Sequence, residues 1–388
     1  MSLQYKLENN LLTIYMIPHV SSNNAQQVEE DIFEIINNNK YESIVIDAEN
    51  LEYISSAGLR IILKIRKLTP NFKVINVCLD VYDVFEMTGF TDMMTIEKAY
   101  RKFTVEGLEI IGKGAKGTVY RYNDDTIIKV YNDSNALEAI QNERECAKKA
   151  FVLGLPTAIS YDVVKVGDKL GSVFELLESK SLSDLIKNDE AHLEKYAKIF
   201  AGILKEIHSN VINDNSLPDG KSKIDNWVTG SIDYLDPESY KKLVKLYEGL
   251  EKKNNLLHMD FHTNNILIQK GEPLIIDMDT LSVGNPLFEL ANIYVPYDGF
   301  TYISDEFIEK FLGFSAKTAK KFYIEVLKDY FGKDDIEQEN NKIKLLGLLR
   351  VIHHVSKRPG KYPNEKEIIK NCVSEVTELI RKVDDLNL

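Results

Sequence analysis

The 388-residue chain predicts two folded units in series, an α/β sandwich over residues 1–100 and an α+β unit over residues 108–388. Three observations predict this. Between residues 11 and 87, apolar runs of strand length alternate with amphipathic stretches of helix length, the pattern of helices packed against a mixed sheet. A β-rich stretch follows from residue 108. Beyond Ser181 the periodicity is helical to the end, with one β-rich island at 256–277. The length also exceeds what one hydrophobic core ordinarily serves.

The elements follow in order. Leu11–Met16 reads as a strand, and residues 24–37 as a helix with Val28, Ile32, Ile35 and Ile36 on one side. Ser43–Asp47 is a short apolar strand. Leu59, Ile62, Leu63 and Ile65 recur at helical spacing over residues 56–68. Phe72–Val77 is a further strand, and Val81–Met87 a helix stopped by Gly89. Residues 98–107 turn polar and charged, which marks a linker, assigned to 101–107. Leu108–Ile111 leads into a glycine cluster. Thr118–Tyr122 and Thr126–Tyr131 form a hairpin turned at Asn123-Asp124-Asp125. Residues 135–151 are helical, and Val163–Val166 and Gly171–Leu177 are strands joined at Gly167-Asp168-Lys169.

Composition excludes several classes. A formal charge of −12 repels phosphate backbones, so nucleic acid is not an expected partner. The three cysteines, Cys78, Cys146 and Cys372, show no CxxC spacing. That argues against a disulfide framework or a zinc site and fits a reducing cytoplasm. No apolar window is long enough to span a membrane, and no apolar leader follows Met1.

The chemistry concentrates in 256–277. His258-Met259-Asp260-Phe261-His262-Thr263-Asn264-Asn265 carries the spacing H-x-D-x-x-x-x-N, and Asp277 ends the apolar run Leu274-Ile275-Ile276 twelve residues after Asn265. In phosphoryl transfer, Asp260 would orient or accept the proton of the attacking hydroxyl, while Asn265 and Asp277 would hold Mg²⁺ against the phosphates of ATP. Upstream, Gly112-Lys113-Gly114-Ala115-Lys116-Gly117 is a G-x-G-x-x-G between two strands. A phosphate loop needs backbone amides and no side chains in the way. The same pattern also occurs in dinucleotide-binding turns, and in hairpin turns whose glycines serve positive φ. The β-branched and aromatic Thr118–Tyr122 favours strand–loop–strand over strand–loop–helix. Lys129, flanked by apolar strand residues, is the candidate for the α- and β-phosphates, with Glu143 or Glu145 as its carboxylate partner.

At these residues a resemblance emerges. His258–Leu267 resembles the H-G-D-x-H-x-x-N-I-L loop of aminoglycoside phosphotransferases and choline kinases, with Met259 for the usual glycine and Asn264 where glycine often stands. Ile275–Asp279 resembles the family's I-D-W/F-D/E element, and Gly284–Ala291 its G-D/N-P-x-x-D-L-A, with Glu289 for Asp. The resemblance implies a bilobal protein-kinase-like fold, an N-lobe over 108–178 and a mostly helical C-lobe over 179–388. It favours Glu143 over Glu145, because the family places a helix glutamate before a G-x-P element, here Gly154-Leu155-Pro156. It further implies that the backbone at Glu175-Leu176-Leu177-Glu178 binds adenine. Gly112, Gly114, Gly117, Lys129, Glu143, Glu175 and Leu177 are thus the nucleotide-binding candidates. His258 and His262 brace the loop in this family and are given no metal. On a helix, His353 and His354 diverge.

Residues 1–100 resemble a STAS domain, the fold of anti-sigma-factor antagonists, through Asp47–Leu59 and Val84–Phe90. The resemblance implies a protein-docking module and places Ser56 at the serine that a partner kinase phosphorylates. Ser56 also reads as a plain helix N-cap.

The expected function is ATP-dependent transfer of phosphate to a hydroxyl of a small molecule. The acceptor would bind in the helical lobe, where Asp225, Asp233, Asp236 and Glu238 are available for a cation or simply form a solvated acidic face. Two alternatives stand beside it: a nucleotide-sensing regulator of anti-sigma-antagonist type with little catalysis, and a protein kinase acting on Ser56 or on another protein.

Overall fold

The computed structural model describes residues 3–114, 116–133, 136–176, 179–214 and 216–388. It divides into two compact units, Met1–Glu106 with Val163–Gly171, and Gly107–Asp162 with Ser172–Leu388. The fold class is the one expected, an α/β unit and a kinase-like α+β unit.

The first unit is built on a five-stranded sheet in the order Tyr5–Glu8, Leu11–Tyr15, Ser43–Asp47, Phe72–Val77, Thr95–Lys98. The outer pair is antiparallel and the remaining pairs are parallel. Parallel neighbours need crossovers, which the helices Ala25–Asn38, Ser56–Leu68 and Leu79–Met87 supply. Ile44, Val45 and Ile46 are all buried, as a strand covered on both faces requires. Val28, Ile32 and Ile36 line the buried side of the first helix.

Four features depart from expectation. Tyr5–Glu8 is a strand although all four residues are exposed, so it carries no alternation. The helix Ser56–Leu68 is capped by Ser55, whose buried side chain accepts the Gly58 N–H at 3.4 Å, while Ser56 is its exposed first residue. The N-cap reading of Ser56 is thereby corrected, because the chain turns helical one residue earlier than that reading assumed. The stretch read as a linker, 101–107, holds the short strand Arg101–Phe103, paired in parallel with Val164–Val166. Residues 163–171, read from sequence within 108–178, group with this first unit.

In the second unit, Ile110–Lys113, Gly117–Arg121 and Thr126–Tyr131 form an antiparallel run with Val119 opposite Lys129 and Gly117 opposite Tyr131. The helix Leu137–Val152 follows. The rest is mainly helical around Pro286–Tyr297, whose residues from Leu287 onward are all buried, as a helix at the centre of a lobe must be. Two small sheets interrupt the helices. Ile266–Gln269 pairs with Lys180–Ser181 and Glu272–Ile275, and Asn255–Leu257 pairs with Ser282–Gly284. Because these strands pair, the loops 258–265 and 276–281 emerge side by side.

Candidate active site

Lys129 is the centre of the site. Its neighbours Ile128 and Val130 are buried in the sheet core, and strand alternation turns Lys129 to the other face. There its Nζ donates to Glu143 Oε1 at 2.9 Å and Oε2 at 3.1 Å, and to Asp277 Oδ1 at 2.8 Å. Burial opposes the ammonium, yet the two carboxylates outweigh it and raise the Lys129 pKa. Burial likewise opposes the Asp277 carboxylate, and Lys129 outweighs it and lowers that pKa. Tyr131 OH donates to Glu143 Oε2 at 2.9 Å and lies 3.1 Å from Ser172 Oγ. Ile140, Glu143, Ala147 and Ala150 share the buried helix face, and Glu145 is exposed.

The loop after Leu257 is held from behind. Glu289, wholly buried, accepts the N–H of His258 at 3.0 Å and of Met259 at 2.6 Å, and lies 2.9 Å from His208 Nε2. Burial pushes the Glu289 pKa up, but His208 and the His258 amide outweigh it and hold it below its ordinary value. Met259 has φ +63°, a left-handed conformation that favours glycine. Asn265 Nδ2 donates to the Asp260 carbonyl at 3.0 Å, so the two ends of the motif are joined. The Ile276 N–H donates to the Asn265 carbonyl at 3.0 Å, placing Asp277 next in the chain beside Asn265. His258 Nε2 reaches the Ile276 carbonyl at 3.2 Å, and His262 packs edge-on to Phe311 with Nε2 3.8 Å from Asp260 Oδ1. Asp260, Asn265, Asp277, Lys129 and Glu143 therefore converge.

In the glycine loop, none of Gly112, Gly114 and Gly117 has positive φ. The hairpin-turn explanation of these glycines is removed. Gly117 answers to a different constraint, since a Cβ there would meet the Val130 carbonyl oxygen at 2.4 Å. The loop's Lys116 forms an ion pair with Asp279, and Asn142 Nδ2 donates to the Asp279 carbonyl at 3.0 Å. Glu175 is exposed at the end of its strand, and the next amide, Leu176 N–H, donates to Asp125 O at 2.8 Å. Leu177 and Glu178 lie outside the described residues.

The oxygen donors suit a hard divalent ion. Asn265 spends its Nδ2 on Asp260 and keeps its side-chain Oδ1 free among the described residues. Asp277 engages Lys129 through Oδ1 alone, and Asp279 Oδ1 is buried without a hydrogen-bond partner.

Of the acidic residues considered for a cationic acceptor, Asp236 caps the helix Pro237–Glu248 and Asp225 accepts from Tyr247 OH at 2.8 Å. Asp233 and Glu238 are exposed. Several contributors were not singled out from sequence. Tyr131 had a signal, being two residues from Lys129 on the same strand face. Lys116 had one in its place within the glycine loop. His208, Lys223 and Arg350 had none, because their neighbours at the site are remote in the chain.

Residues 107–318 match the family profile described as phosphotransferase enzyme family, and residues 3–102 match that of the STAS domain. No curated protein sequence matches the chain at a significant level. Similar solved structures include a gentamicin complex of APH(2″)-IIa, at 17% identity, covering 77% of this chain and 97% of that one with a TM-score of 0.45. A choline/ethanolamine kinase family protein from Mesorhizobium loti aligns at 16% identity over 71% of this chain and 89% of that one, TM-score 0.42. Choline kinase LicA from Streptococcus pneumoniae aligns at 15% identity over 78% and 98%, TM-score 0.43.

Proposed function

The chain belongs to the phosphotransferase enzyme family, and from that premise we propose that it transfers the γ-phosphate of ATP to a hydroxyl group of a small molecule. The observation that carries this reading is the double engagement of Lys129 by Glu143 and Asp277, next to a loop that presents Asp260 and Asn265.

The roles follow from the chemistry. Glu143 and Tyr131 orient Lys129, whose ammonium meets the α- and β-phosphates. Gly112, Gly114 and Gly117 let backbone approach the phosphates, and the backbone around Glu175 and Leu177 takes the adenine. Asn265 and Asp277 would hold Mg²⁺, which would supply positive charge to offset that of the phosphates. Asp260 accepts or orients the acceptor hydroxyl proton. The hydroxyl oxygen bonds to the γ-phosphorus as the bond from that phosphorus to the β–γ bridging oxygen breaks, and ADP departs. Positioning and charge stabilisation supply the rate. The STAS module serves as a docking surface for a protein partner, and the free thiols of Cys78, Cys146 and Cys372 suit a reducing cytoplasm. Among the described residues no helix is long and apolar enough to cross a membrane.

The test is ADP release in the presence of MgATP and a panel of hydroxylated metabolites. Asp260→Ala should lower turnover by roughly 10²–10⁴-fold, the worth of a positioned general base. Turnover equal to wild type would remove Asp260 from that role. ATP binding with no Mg²⁺-dependent transfer would instead favour the nucleotide-sensing regulator.

A further inference from the structure

We infer that the acceptor carries an anionic group, a phosphate ester or a carboxylate, which Lys223 and Arg350 grip beside Asp260. This rests on the phosphotransferase reading and specifies the acceptor side of the same site.

Arg350 lies on the helix Glu337–Ser356 and Lys223 on Lys221–Gly230. The two helices pack against each other, the charge of Asp260 favours both cations, and Arg350 disfavours the ammonium of Lys223. Arg350 is anchored at one end only. Its Nη1 donates to the Asn292 carbonyl at 2.8 Å, and Asn292 Nδ2 in turn donates to the Met259 carbonyl at 3.2 Å, one residue before Asp260. The guanidinium stands 5.8 Å from the centroid of the Trp227 ring, within cation–π reach. A guanidinium has five N–H donors, and among the described residues no carboxylate lies within ion-pair distance of it. Arg350 is half-buried, and none of its remaining nitrogens is a buried atom without a partner. Among the described residues, Lys223 Nζ likewise has no carboxylate within 4.0 Å.

An enclosed cation without a partner is unfavourable. Burial draws the Arg350 pKa down to about 10, an effect that Asp260 only partly offsets and that Arg358 worsens. Lys223 is exposed, but packing alone does not explain Arg350, an enclosed cation near Asp260 with which no carboxylate among the described residues pairs. An anionic acceptor would satisfy both and hold its hydroxyl against Asp260 by a fork of charge-assisted hydrogen bonds. A cationic acceptor such as choline would be repelled. Asp225 and Asp236, two of the candidates for attracting one, are committed to Tyr247 and to a helix cap.

Two measurements on the full chain test this. In the first, the chain is saturated with MgAMPPNP and titrated calorimetrically with inorganic phosphate and with acetate at constant ionic strength. At least one should bind, and Lys223→Glu should abolish binding at an unchanged thermal midpoint. Arg350→Gln should weaken it about tenfold, and Arg350→Lys should restore part of it. In the second, ADP release from MgATP is compared for ribose against ribose 5-phosphate, glucose against gluconate, and for choline and kanamycin. Where turnover is found, the anionic member of a pair should have the lower KM, and Lys223→Glu should raise that KM while leaving the KM for ATP in place. The inference is overturned if neither anion binds, if Lys223→Glu leaves binding intact, if choline, kanamycin or the neutral sugars are preferred, or if the KM for ATP moves instead. Failure of MgAMPPNP to bind would defeat the phosphotransferase reading. Binding of MgAMPPNP without either anion defeats only this inference.

Discussion

Glu289 Oε1 accepts the Met259 N–H at 2.6 Å, and its second oxygen accepts the His258 N–H at 3.0 Å. One buried carboxylate thus sets the backbone of the loop that carries Asp260. Met259 is held there at φ +63°, a conformation costing a non-glycine residue roughly 1–3 kcal/mol.

This arrangement predicts the effect of Glu289→Gln. The amide keeps one acceptor and turns an NH₂ group toward donors, leaving a buried N–H unpaired. The expected loss is about 3 kcal/mol in urea unfolding near neutral pH, typical of breaking a buried charged network. The pH dependence follows from the Glu289 pKa, which is held below its ordinary 4.5. Its contribution is complete above that ordinary value and is lost as pH falls through the folded one. The gap between wild type and Glu289→Gln should therefore shrink on acidification below about pH 4.5. A gap independent of pH would show that the carboxylate charge is not what holds the loop.

Lys129→Met leaves Glu143 and Asp277 facing each other without their shared cation. Removing one partner from such a buried set costs about 3–5 kcal/mol, and loss of the phosphate contact should reduce kcat/KM by roughly 10²–10³-fold. The Lys129 pKa is raised above 10.5, so its contribution is complete below that value and is lost only as pH rises through the higher folded value. The stability difference between the two proteins should accordingly be flat from neutral to mildly alkaline pH. A difference that fades there would place the Lys129 pKa below its ordinary value, against the two-carboxylate geometry.

The three loop glycines should separate by measurement. Gly117→Ala drives a methyl into the Val130 carbonyl and forces the two strands apart, at about 1–3 kcal/mol. At Gly112 the nearest atoms to an added Cβ lie at 3.5 Å, and at Gly114 at 4.0 Å. These two substitutions should change thermal stability by less than about 0.5 kcal/mol. If the loop covers phosphates, they should still raise the KM for ATP. Unchanged KM in both would restrict the glycines to architecture.

The legible parts of the fold were those whose apolar residues repeat. Ser43–Asp47, Ser56–Leu68 and Phe72–Val77 occupy the expected ranges, because Ile44–Ile46 and the series Leu59, Ile62, Ile65 carry the burial pattern openly. Tyr5–Glu8 was missed because it buries nothing, although Asn9 and Asn10 behind it, both at positive φ, are residues that favour a tight hairpin turn. Within the site, Asp260 and Asn265 share one short loop, so their spacing alone associated them. Lys129 and Asp277 are 148 residues apart, and only a known chemistry suggests the pairing. His208, Arg350 and Lys223 belong to helices whose docking on the loop is a tertiary fact. No spacing in the chain encodes it.

The two serines at the start of Ser56–Leu68 offer the last separation. Ser55 is buried and caps the helix through the Gly58 N–H, whereas Ser56 is exposed at the first helical position. Ser55→Ala should cost about 1 kcal/mol, and Ser56→Ala less than about 0.5 kcal/mol. No acidic residue occupies the first turn, so Ser56→Asp should be tolerated or stabilise by about 0.3–1 kcal/mol through the helix dipole. A phosphate on Ser56 would be accommodated by the same field while transforming the charge of the docking surface. Intact-mass measurement after incubation of the full chain with MgATP tests whether the kinase unit uses this residue. A gain of one phosphate in wild type that disappears in Ser56→Ala would establish the protein-acceptor reading, and equal masses in both would remove self-phosphorylation at Ser56.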